Sequence, residues 1–153
     1  MASGAKRTAR SEMRQVAALP WRVEEGERRI LMITSRQTGR WVIPKGGRMA
    51  GKTDAQAAVQ EALEEAGVKG AVEDAPIGVF RYTKTLKDGG QRKCLVSVYP
   101  LQVLIQLGAW PEDHQRERRW MTPQAAAAAV NEPDLAALIL EFAATLPTDE
   151  QPA

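Results

Sequence analysis

The chain has 153 residues, of which 44% are hydrophobic and 26% charged, an ordinary balance for one globular domain with a sizeable core. Its formal net charge is only +2, which gives no global basic field for binding nucleic acid. A single cysteine, Cys94, and a single histidine, His114, exclude an internal disulfide, a cysteine zinc cluster and a histidine-rich metal site. No apolar run approaches the ~18 residues of a membrane span, and no apolar stretch follows the basic N-terminus as in a secretory signal. We therefore expect a cytoplasmic protein.

Short runs of apolar or alternating residues predict β-strands along most of the chain. The predicted strands lie at residues 15–22, 30–35, 41–43, 77–85 and 92–105. A charged turn around Gly26 joins the first two as a hairpin, and the Asp-Gly pair at 88–89 predicts a second hairpin turn. Proline predicts an edge or bulge at Pro20 and an interruption of the last strand at Pro100. Two further segments fit either a short strand or a connecting turn, at residues 69–74 and 120–121.

Three segments carry helix signals, and they lie at residues 54–66, 122–130 and 134–146. Thr53 followed three residues later by Gln56 is a capping-box pattern, and Gly67 suits the left-handed conformation that ends a helix. Thr122 caps the second helix, and Pro123 takes its first helical position. The flanking residues 1–14, which are small, polar and basic, and 147–153 predict flexible tails around a single domain, 15–146.

The first of these helices carries three carboxylates, Glu61, Glu64 and Glu65, within an arc of roughly 100°. Its apolar residues fall on a different arc, which predicts a buried stripe of Ala55, Val59, Ala62, Leu63 and Ala66. Like charges at these spacings repel, and no Lys or Arg lies within the helix to offset them. The pattern fits either a solvated acidic face or a site for a hard cation such as magnesium or manganese. Residues 41–47 favour the cation site, because a strand that breaks at proline into a glycine loop can hold phosphate beside a metal.

Residues 46–68 resemble the Nudix box, whose pattern is G-x5-E-x7-R-E-U-x-E-E-x-G-U, with U an aliphatic residue. Six positions match in register: Gly46, Glu61, Glu64, Glu65, Gly67 and Val68. Two positions depart from the pattern, since Lys52 replaces the first glutamate and Gln60 replaces the arginine. In the family these two residues commonly pair with each other, so the double change leaves neither of them with a lost partner.

Within the family, the chain is similar to the diphosphoinositol polyphosphate and diadenosine polyphosphate phosphohydrolases. The similar segments are TSR at 34–36, GRWVIPKGG at 39–47, EEAGVKG at 64–70, IGVF at 77–80 and RERRW at 116–120. The resemblance covers roughly residues 14–142 and implies an α/β fold, a Nudix-type α/β/α sandwich around a mixed β-sheet. In such enzymes a glycine stands where this chain has Lys45, which brings a new charge beside the expected phosphate position.

Carried over by position, the resemblance implies that Glu61 and Glu65 bind the metal, with a backbone carbonyl of Lys45 or Gly46 as a further ligand. It implies Glu64 as the general base, and whether Glu64 also binds the metal is left open. The expected cofactor is Mg²⁺, with Mn²⁺ as the alternative. Basic residues and the glycine loop are expected to hold the substrate phosphates, and the candidates are Arg36, Lys45, Gly46, Gly47, Arg92, Lys93, Arg116 and Arg118.

The sequence therefore predicts a metal-dependent pyrophosphohydrolase that cleaves a phosphoanhydride bond in a nucleoside polyphosphate, dinucleoside polyphosphate or inositol pyrophosphate. A second enzymatic hypothesis is hydrolysis of nucleoside triphosphates to monophosphate and pyrophosphate. A catalytically weak module that binds a nucleotide or polyphosphate as a sensor is the alternative, motivated by Lys52 and Gln60. The expected partner is a small-molecule substrate, with neither nucleic acid nor membrane, and the sequence does not indicate an oligomeric state.

Overall fold

The computed structural model describes residues 12–145, within which eight strands form one mixed sheet and three helices pack against it. The strands are β1 (Glu12–Glu24), β2 (Glu27–Thr34), β3 (Trp41–Val42), β4 (Lys45–Gly47), β5 (Val68–Val72), β6 (Gly78–Thr85), β7 (Gln91–Gln106) and β8 (Arg118–Met121). The helices are α1 (Asp54–Ala66), α2 (Pro123–Ala129) and α3 (Pro133–Ala144). None of these helices is both long and apolar enough to cross a bilayer.

The centre of the sheet is the parallel pair of the two longest strands, β1 and β7. The main strand order is β3-β2-β1-β7-β5, with β4 beside β1, β6 beside β7 and β8 beside β2. The predicted hairpins are confirmed: β1 and β2 turn at Glu25 and Gly26, whose φ values are 54° and 79°, as a tight two-residue turn requires. The β6–β7 hairpin turns through Gly89, with φ 87°.

Two prolines lie inside the central pair, so the predictions of an edge or bulge at Pro20 and an interruption at Pro100 were wrong. Pro20 and Pro100 fall one register step apart in an unbroken ladder between β1 and β7. On its other side β1 changes partner here, because pairing with β4 ends at Ala17 and pairing with β2 begins at Trp21. Strand β7 changes partner from β6 to β5 around Pro100 in the same way. A missing N–H is tolerated at such a junction, where neither flanking strand pairs with it.

The two faces of the sheet carry separate cores, which confirms the expected α/β/α sandwich. Alternate residues of β1 point to opposite faces, as the pleat requires, so Val16 lies in one core and Ala17 in the other. Helix α1 covers the first core with small side chains, namely Ala55, Ala57, Ala58, Ala62 and Ala66. Helix α3 covers the second core with large ones, namely Leu135, Ile139 and Phe142.

Several element boundaries differ from the sequence-based expectation. Glu12–Arg14, expected in the N-terminal tail, form the start of β1. The glycine loop expected after Pro44 contains a short strand, β4, which pairs with residues 15–17 of β1. The undecided segment at 69–74 overlaps strand β5, which ends at Val72. The remaining parts of the two predicted tails lie outside the described residues.

Candidate active site

Helix α1 begins and ends as its sequence predicts. The side chain of Thr53 accepts a hydrogen bond from the N–H of Gln56 at 3.1 Å, and the Gln56 side chain accepts one from the N–H of Thr53 at 2.9 Å. This capping box is confirmed. At the other end Gly67 adopts φ 69° and ψ 36°, and its N–H bonds back to Leu63. These two ends set where α1 starts and stops, and so which of its side chains face the sheet and which face the cavity beside it.

The C-terminal end of α1 is clamped by residues from the loop after β7 and from β8. The indole N–H of Trp110 donates to the Glu65 carbonyl at 3.0 Å, and Nη1 of Arg118 donates to the Ala66 carbonyl at 2.8 Å. The Arg118 guanidinium also stacks on Trp110, 3.9 Å from the ring centroid. A cation here is favourable because the helix end carries partial negative charge. Arg118, predicted to bind substrate, is therefore placed on the helix end and does not line the cavity.

A cavity of about 680 Å³ opens between α1, β4, β6 and the loops before β3 and after β7. It brings together most of the predicted site residues, namely Glu61, Glu65, Lys45, Gly46, Gly47, Arg36 and Arg116. The remaining predicted residues, Glu64, Arg92, Lys93 and Arg118, do not line it. The other lining residues include Gln15, Arg40, Tyr82, Lys84 and Glu112, which the sequence did not single out.

Glu61 and Glu65 form the acidic side of this cavity. Glu65 is only 8% exposed, and its Oε1 accepts a hydrogen bond from the N–H of Lys45 at 3.3 Å. Glu61 lies within hydrogen-bonding reach of Glu65 and directly against Gly46, where any Cβ would overlap the Glu61 carboxylate. A side chain at Gly46 would therefore force the Glu61 carboxylate to move, so the glycine lets that carboxylate stay beside β4. A fully solvated acidic face is excluded for Glu65.

The pair is held in an environment that disfavours two negative charges. Burial is the largest cause, and with the neighbouring Glu61 it raises the pKa of Glu65 to about 8, against the opposing effect of Arg116. Burial and nearby carboxylates also raise the pKa of Glu61. Arg116 lies 3.6 Å from Glu65 Oε1. One guanidinium at this distance leaves the pair under-neutralised, so a further cation would be favoured between the two carboxylates.

The donor set fits a hard divalent cation that keeps most of its own water. Within residues 12–145, no three His, Cys, Asp or Glu side chains converge closely enough to hold a metal. Mg²⁺ commonly uses one or two carboxylates and fills its other positions with water and substrate phosphate oxygens. Glu61 and Glu65 supply two carboxylates, and the carbonyls of Lys45 and Gly46 stay predicted ligands. The hydrogen bond that β4 donates to the pair comes from the N–H of Lys45.

Two carboxylates differ from the expected arrangement. Glu64, the predicted general base, is half-buried, accepts a hydrogen bond from the Gln60 side chain and does not line the cavity. Glu112 does line the cavity, and its Oε1 lies 2.7 Å from Nε of Arg116. Its N–H also donates to the Glu64 carbonyl at 3.1 Å, which ties its loop to α1. The sequence placed Glu112 in a polar loop without a motif, so nothing there signalled its position.

The basic residues divide into those that face the cavity and those that do not. Arg116 is nearly buried, at 8% exposed, and donates to the Thr34 carbonyl at 3.0 Å while it pairs with Glu112. Its main structural role is to hold the loop against α1 and β2. Arg92 and Lys93 lie on β7, and the cavity is instead lined by Lys84, the cross-strand partner of Arg92 on β6. The sequence therefore identified the hairpin that lines the cavity, but it assigned the lining cations to β7, whereas the lining cation lies on β6.

The aromatic lining of the cavity consists of Tyr82, since none of the tryptophans in residues 12–145 lines it. Nζ of Lys45 lies 4.8 Å from the centroid of the Tyr82 ring. The Tyr82 hydroxyl donates to Oε1 of Gln15 at 2.6 Å. Burial is the main cause that lowers the pKa of Lys45, and the Arg40 and Arg116 charges add to it. Trp110 instead contacts Arg118 at the end of α1.

Residues 13–142 match the family model of the NUDIX domain. Nudix hydrolase 12, mitochondrial, from Arabidopsis thaliana is 40% identical over 96 residues, which cover 61% of this chain and 47% of that protein. Diphosphoinositol polyphosphate phosphohydrolase 3-beta from Homo sapiens is 34% identical over 109 residues, which cover 70% of this chain and 62% of that protein. Across the first such relatives, the chain spans about half the length of each matched protein.

Solved structures show the same fold at low identity. The Ap4A hydrolase of C. elegans superposes with a TM-score of 0.62 and 18% identity, covering 88% of this chain and 98% of that one. The dihydroneopterin triphosphate pyrophosphohydrolase of E. coli gives a TM-score of 0.66 and 16% identity, covering 87% and 96%. The family match spans nearly the whole described chain, and the carboxylate helix and glycine strand of the motif meet at one cavity. The chain belongs to the Nudix hydrolase family.

Proposed function

We propose that this protein is a metal-dependent pyrophosphohydrolase. Its substrate would be a phosphoanhydride in a nucleoside polyphosphate, a dinucleoside polyphosphate or an inositol pyrophosphate. The observation that carries the proposal is the pair of buried Glu65 and half-buried Glu61, set beside Gly46 in a cavity. The same cavity is lined by five cationic side chains, those of Arg36, Arg40, Lys45, Lys84 and Arg116. Two carboxylates with raised pKa values are unfavourable in such a place unless a cation joins them.

The charged lining groups would have separate parts in this reaction. Glu61 and Glu65 would hold Mg²⁺, or Mn²⁺ as the alternative. When bound, a divalent cation neutralises charge on phosphoryl oxygens and lowers the pKa of a coordinated water. Arg36, Arg40 and Lys84 line the cavity around the pair and would bind the anionic chain of phosphates. The ligand is therefore a small polyanion, without nucleic acid or membrane as a partner.

The general base is proposed to be Glu64, by its position in the motif, or Glu112, by its place in the cavity. A base must come within hydrogen-bond reach of the water that attacks phosphorus, directly or through one further water. Glu112 faces the cavity while it is paired with Arg116, and Glu64 lies outside the lining while it is bonded to Gln60. The variants Glu64→Gln and Glu112→Gln distinguish the two, because the base variant loses kcat and keeps metal binding.

A binding module that senses a nucleotide or polyphosphate is the second candidate function. The observation that favours it is the hydrogen bond from Gln60 to Glu64, which occupies the predicted base with a neutral side chain in place of the family arginine. Lys52, at the other altered position of the motif, is exposed. In this case the cavity would bind the same ligands without turnover. A cytoplasmic location stays a prediction, and the Arabidopsis relative is named as mitochondrial.

Product analysis tests both functions together. Purified protein with MgCl₂ would be incubated with diadenosine polyphosphates, inositol pyrophosphates, nucleoside triphosphates and nucleotide sugars, beside the Glu64→Gln and Glu112→Gln variants. Turnover of one class that disappears in one variant supports the enzyme and identifies its base. Release of free pyrophosphate would indicate nucleoside triphosphate hydrolysis, since cleavage of a dinucleotide between its phosphates yields none. Ligand binding without turnover in all three proteins would contradict the enzymatic proposal and support the sensor.

A further inference from the structure

Lys45 touches two parts of the cavity, one through its backbone and one through its side chain. Its N–H donates to Glu65 Oε1, at the carboxylate pair. Its Nζ lies over the Tyr82 ring on β6, 4.8 Å from the centroid. The side chain also borders a cavity of about 10 Å³ together with Phe80 and Leu135, which belong to the core under α3. The ammonium therefore lies against the β6 wall of the main cavity, and the Glu65 charge still acts on it.

The charge of this ammonium is not neutralised by a paired carboxylate among residues 12–145. The two nearby acids are engaged with arginines, since Glu132 pairs with Arg40 at 3.0 Å and Glu65 lies 3.6 Å from Arg116. A tyrosine ring attracts a cation through its electron-rich face, but it carries no net charge. The ring thus fixes the position of the ammonium and leaves its positive charge available to an anion in the cavity.

The Tyr82 ring is itself held in place. Its hydroxyl donates to Oε1 of Gln15 at 2.6 Å, and the ring lies 6.3 Å from that of Phe80, centroid to centroid, in a tilted arrangement. Both Gln15 and Tyr82 line the same cavity as Lys45. A flexible lysine side chain loses much rotamer freedom when it binds an anion, and a supported ammonium has already lost part of it. This arrangement favours binding to an anion at one defined place.

We propose that the Lys45 ammonium binds the second phosphoryl group of the substrate, next to the one held at Glu61 and Glu65. The inference rests on the proposed function, because it assigns the place of the two phosphoryl groups of one anhydride. These groups share a bridging oxygen, so the second must lie directly beside the carboxylate pair. Lys45 touches both places, since its backbone N–H donates to Glu65 and its ammonium lies over the Tyr82 ring on the β6 wall. The protein would therefore prefer ligands with two linked phosphoryl groups to ligands with one.

The experiment is a calorimetric titration in MgCl₂ with two non-hydrolysable probes, methylenediphosphonate and methylphosphonate. In Lys45→Met we expect the affinity for methylenediphosphonate to fall by about 10-fold or more, because a charged contact is lost. The affinity for methylphosphonate should change by less than about 2-fold, since that probe has no second phosphoryl group. Lys45→Arg should restore part of the diphosphonate affinity. The control is Lys87→Met, which removes the same charge from the exposed β6–β7 turn, outside the cavity.

A second pair of variants tests the support of the ammonium without touching Lys45. Tyr82→Leu removes the ring and should weaken methylenediphosphonate binding, whereas Tyr82→Phe keeps the ring and should weaken it less. Thermal unfolding of each variant establishes whether it is folded. If Lys45→Met does not fold, the two Tyr82 variants test the assignment of Lys45 in its place. The proposal is overturned if wild-type protein does not bind the diphosphonate, or if Lys45→Met and Tyr82→Leu bind it as wild type does.

The outcomes for Lys45 and for the proposed function are separable. If no substrate is turned over but Lys45→Met loses diphosphonate affinity, the enzymatic proposal fails and the assignment of Lys45 stands. If a phosphoanhydride is hydrolysed and Lys45→Met keeps both kcat/KM and diphosphonate affinity, the assignment fails and the enzymatic proposal stands.

Discussion

The two helical layers on either side of the sheet are built from opposite kinds of side chain. Helix α1 meets the sheet through alanines, whereas α3 meets it through Leu135, Ile139 and Phe142. Small side chains let a helix backbone approach the strands closely, and this places Glu61 directly against Gly46. Large side chains fill volume and bury far more apolar area per residue. The α1 layer therefore sets the geometry of the site, and the α3 layer supplies much of the packing that holds the sheet.

The same comparison holds for charge. Helix α1 buries Glu65 at 8% exposure, while α3 keeps its Glu141 in solvent. A buried carboxylate with a raised pKa costs folding free energy in the absence of a cation, and an exposed one costs little. We infer that the buried carboxylate of α1 lowers the free energy of unfolding for the sake of function, and that the packing of α3 offsets this loss. Substitutions on the two helices should thus separate activity from stability.

The largest expected effect is that of Glu65→Gln on activity. The loss of a charged ligand should lower kcat/KM by about 100-fold or more, roughly 3 kcal/mol of barrier. Metal-free stability should be kept or increased, because the variant replaces a buried acid whose pKa is raised by burial with a neutral amide of the same shape. The measurements are steady-state kinetics with MgCl₂ and thermal unfolding in EDTA.

Glu141→Gln makes the same chemical change on the exposed face of α3 and should leave both quantities as in wild type. Equal losses of activity in the two variants would contradict the division of roles between the helices.

Ile139→Ala should have the largest effect on stability. Ile139 is fully buried in the core under α3, and truncation to alanine leaves a cavity there. We expect a loss of about 2–5 kcal/mol in the free energy of unfolding. Urea unfolding measures this loss, and kcat/KM per folded molecule should change little at low temperature. A large fall in kcat/KM of the folded variant would show that α3 shapes the site as well.

Local chemistry made much of α1 predictable from the sequence. Thr53, Gln56 and Gly67 fix both helix ends through hydrogen bonds and a backbone conformation that involve only neighbouring residues. The spacing of Glu61 and Glu65 places both side chains at one cavity. The predicted buried stripe was only partly right, because Val59 and Leu63 are half-buried and Ala57, Ala58 and Glu65 are buried. A helical wheel does not show which of the flanking residues contact the sheet.

Residues that reach the cavity from other elements could not be predicted in this way. Lys84 and Arg40 enter it because of the register between β6 and β7 and the short turn before β3, which no local pattern encodes. Arg118 was placed with the substrate because it lies in a family-like segment, yet the pairing of β8 with β2 brings it to the end of α1. The predictions at Pro20 and Pro100 failed for the same reason. A proline is tolerated at each position because its strand changes pairing partner there, and a local pattern does not show where that happens.

Ala62→Val tests whether the α1 layer is closely packed. Ala62 is fully buried, so two added methyl groups must displace the helix or the sheet. We expect destabilisation of about 1–3 kcal/mol and a fall in kcat/KM beyond it, because Glu61 and Glu65 move with the helix. Ala137→Val on the exposed side of α3 adds the same methyl groups without a clash and should cost about 0.5 kcal/mol through helix propensity alone. Equal effects of the two substitutions would contradict close packing of α1.

The smallest expected effect is on the pH dependence of stability, which is linked to metal binding. In the folded, metal-free protein the pKa of Glu65 is raised from 4.5 to about 8. Between these values the folded state keeps a proton that the unfolded state releases, so the free energy of unfolding falls as pH rises through this window. The Glu65→Gln variant lacks this group and should show a weaker fall over the same range. Thermal unfolding in EDTA, at several pH values, measures both.

A cation at the carboxylate pair competes with that proton, so metal and pH are linked. The rise in Tm caused by MgCl₂ should be larger at about pH 8.5 than at about pH 6, because the proton must leave before the cation binds. In Glu65→Gln the rise should be small at both values. An equal rise at both pH values in wild type, or a full rise in Glu65→Gln, would mean that the stabilising cation binds elsewhere. The pair on α1 would then be a buried acid pair that keeps its proton, and the close approach of Glu61 to Gly46 would serve packing alone.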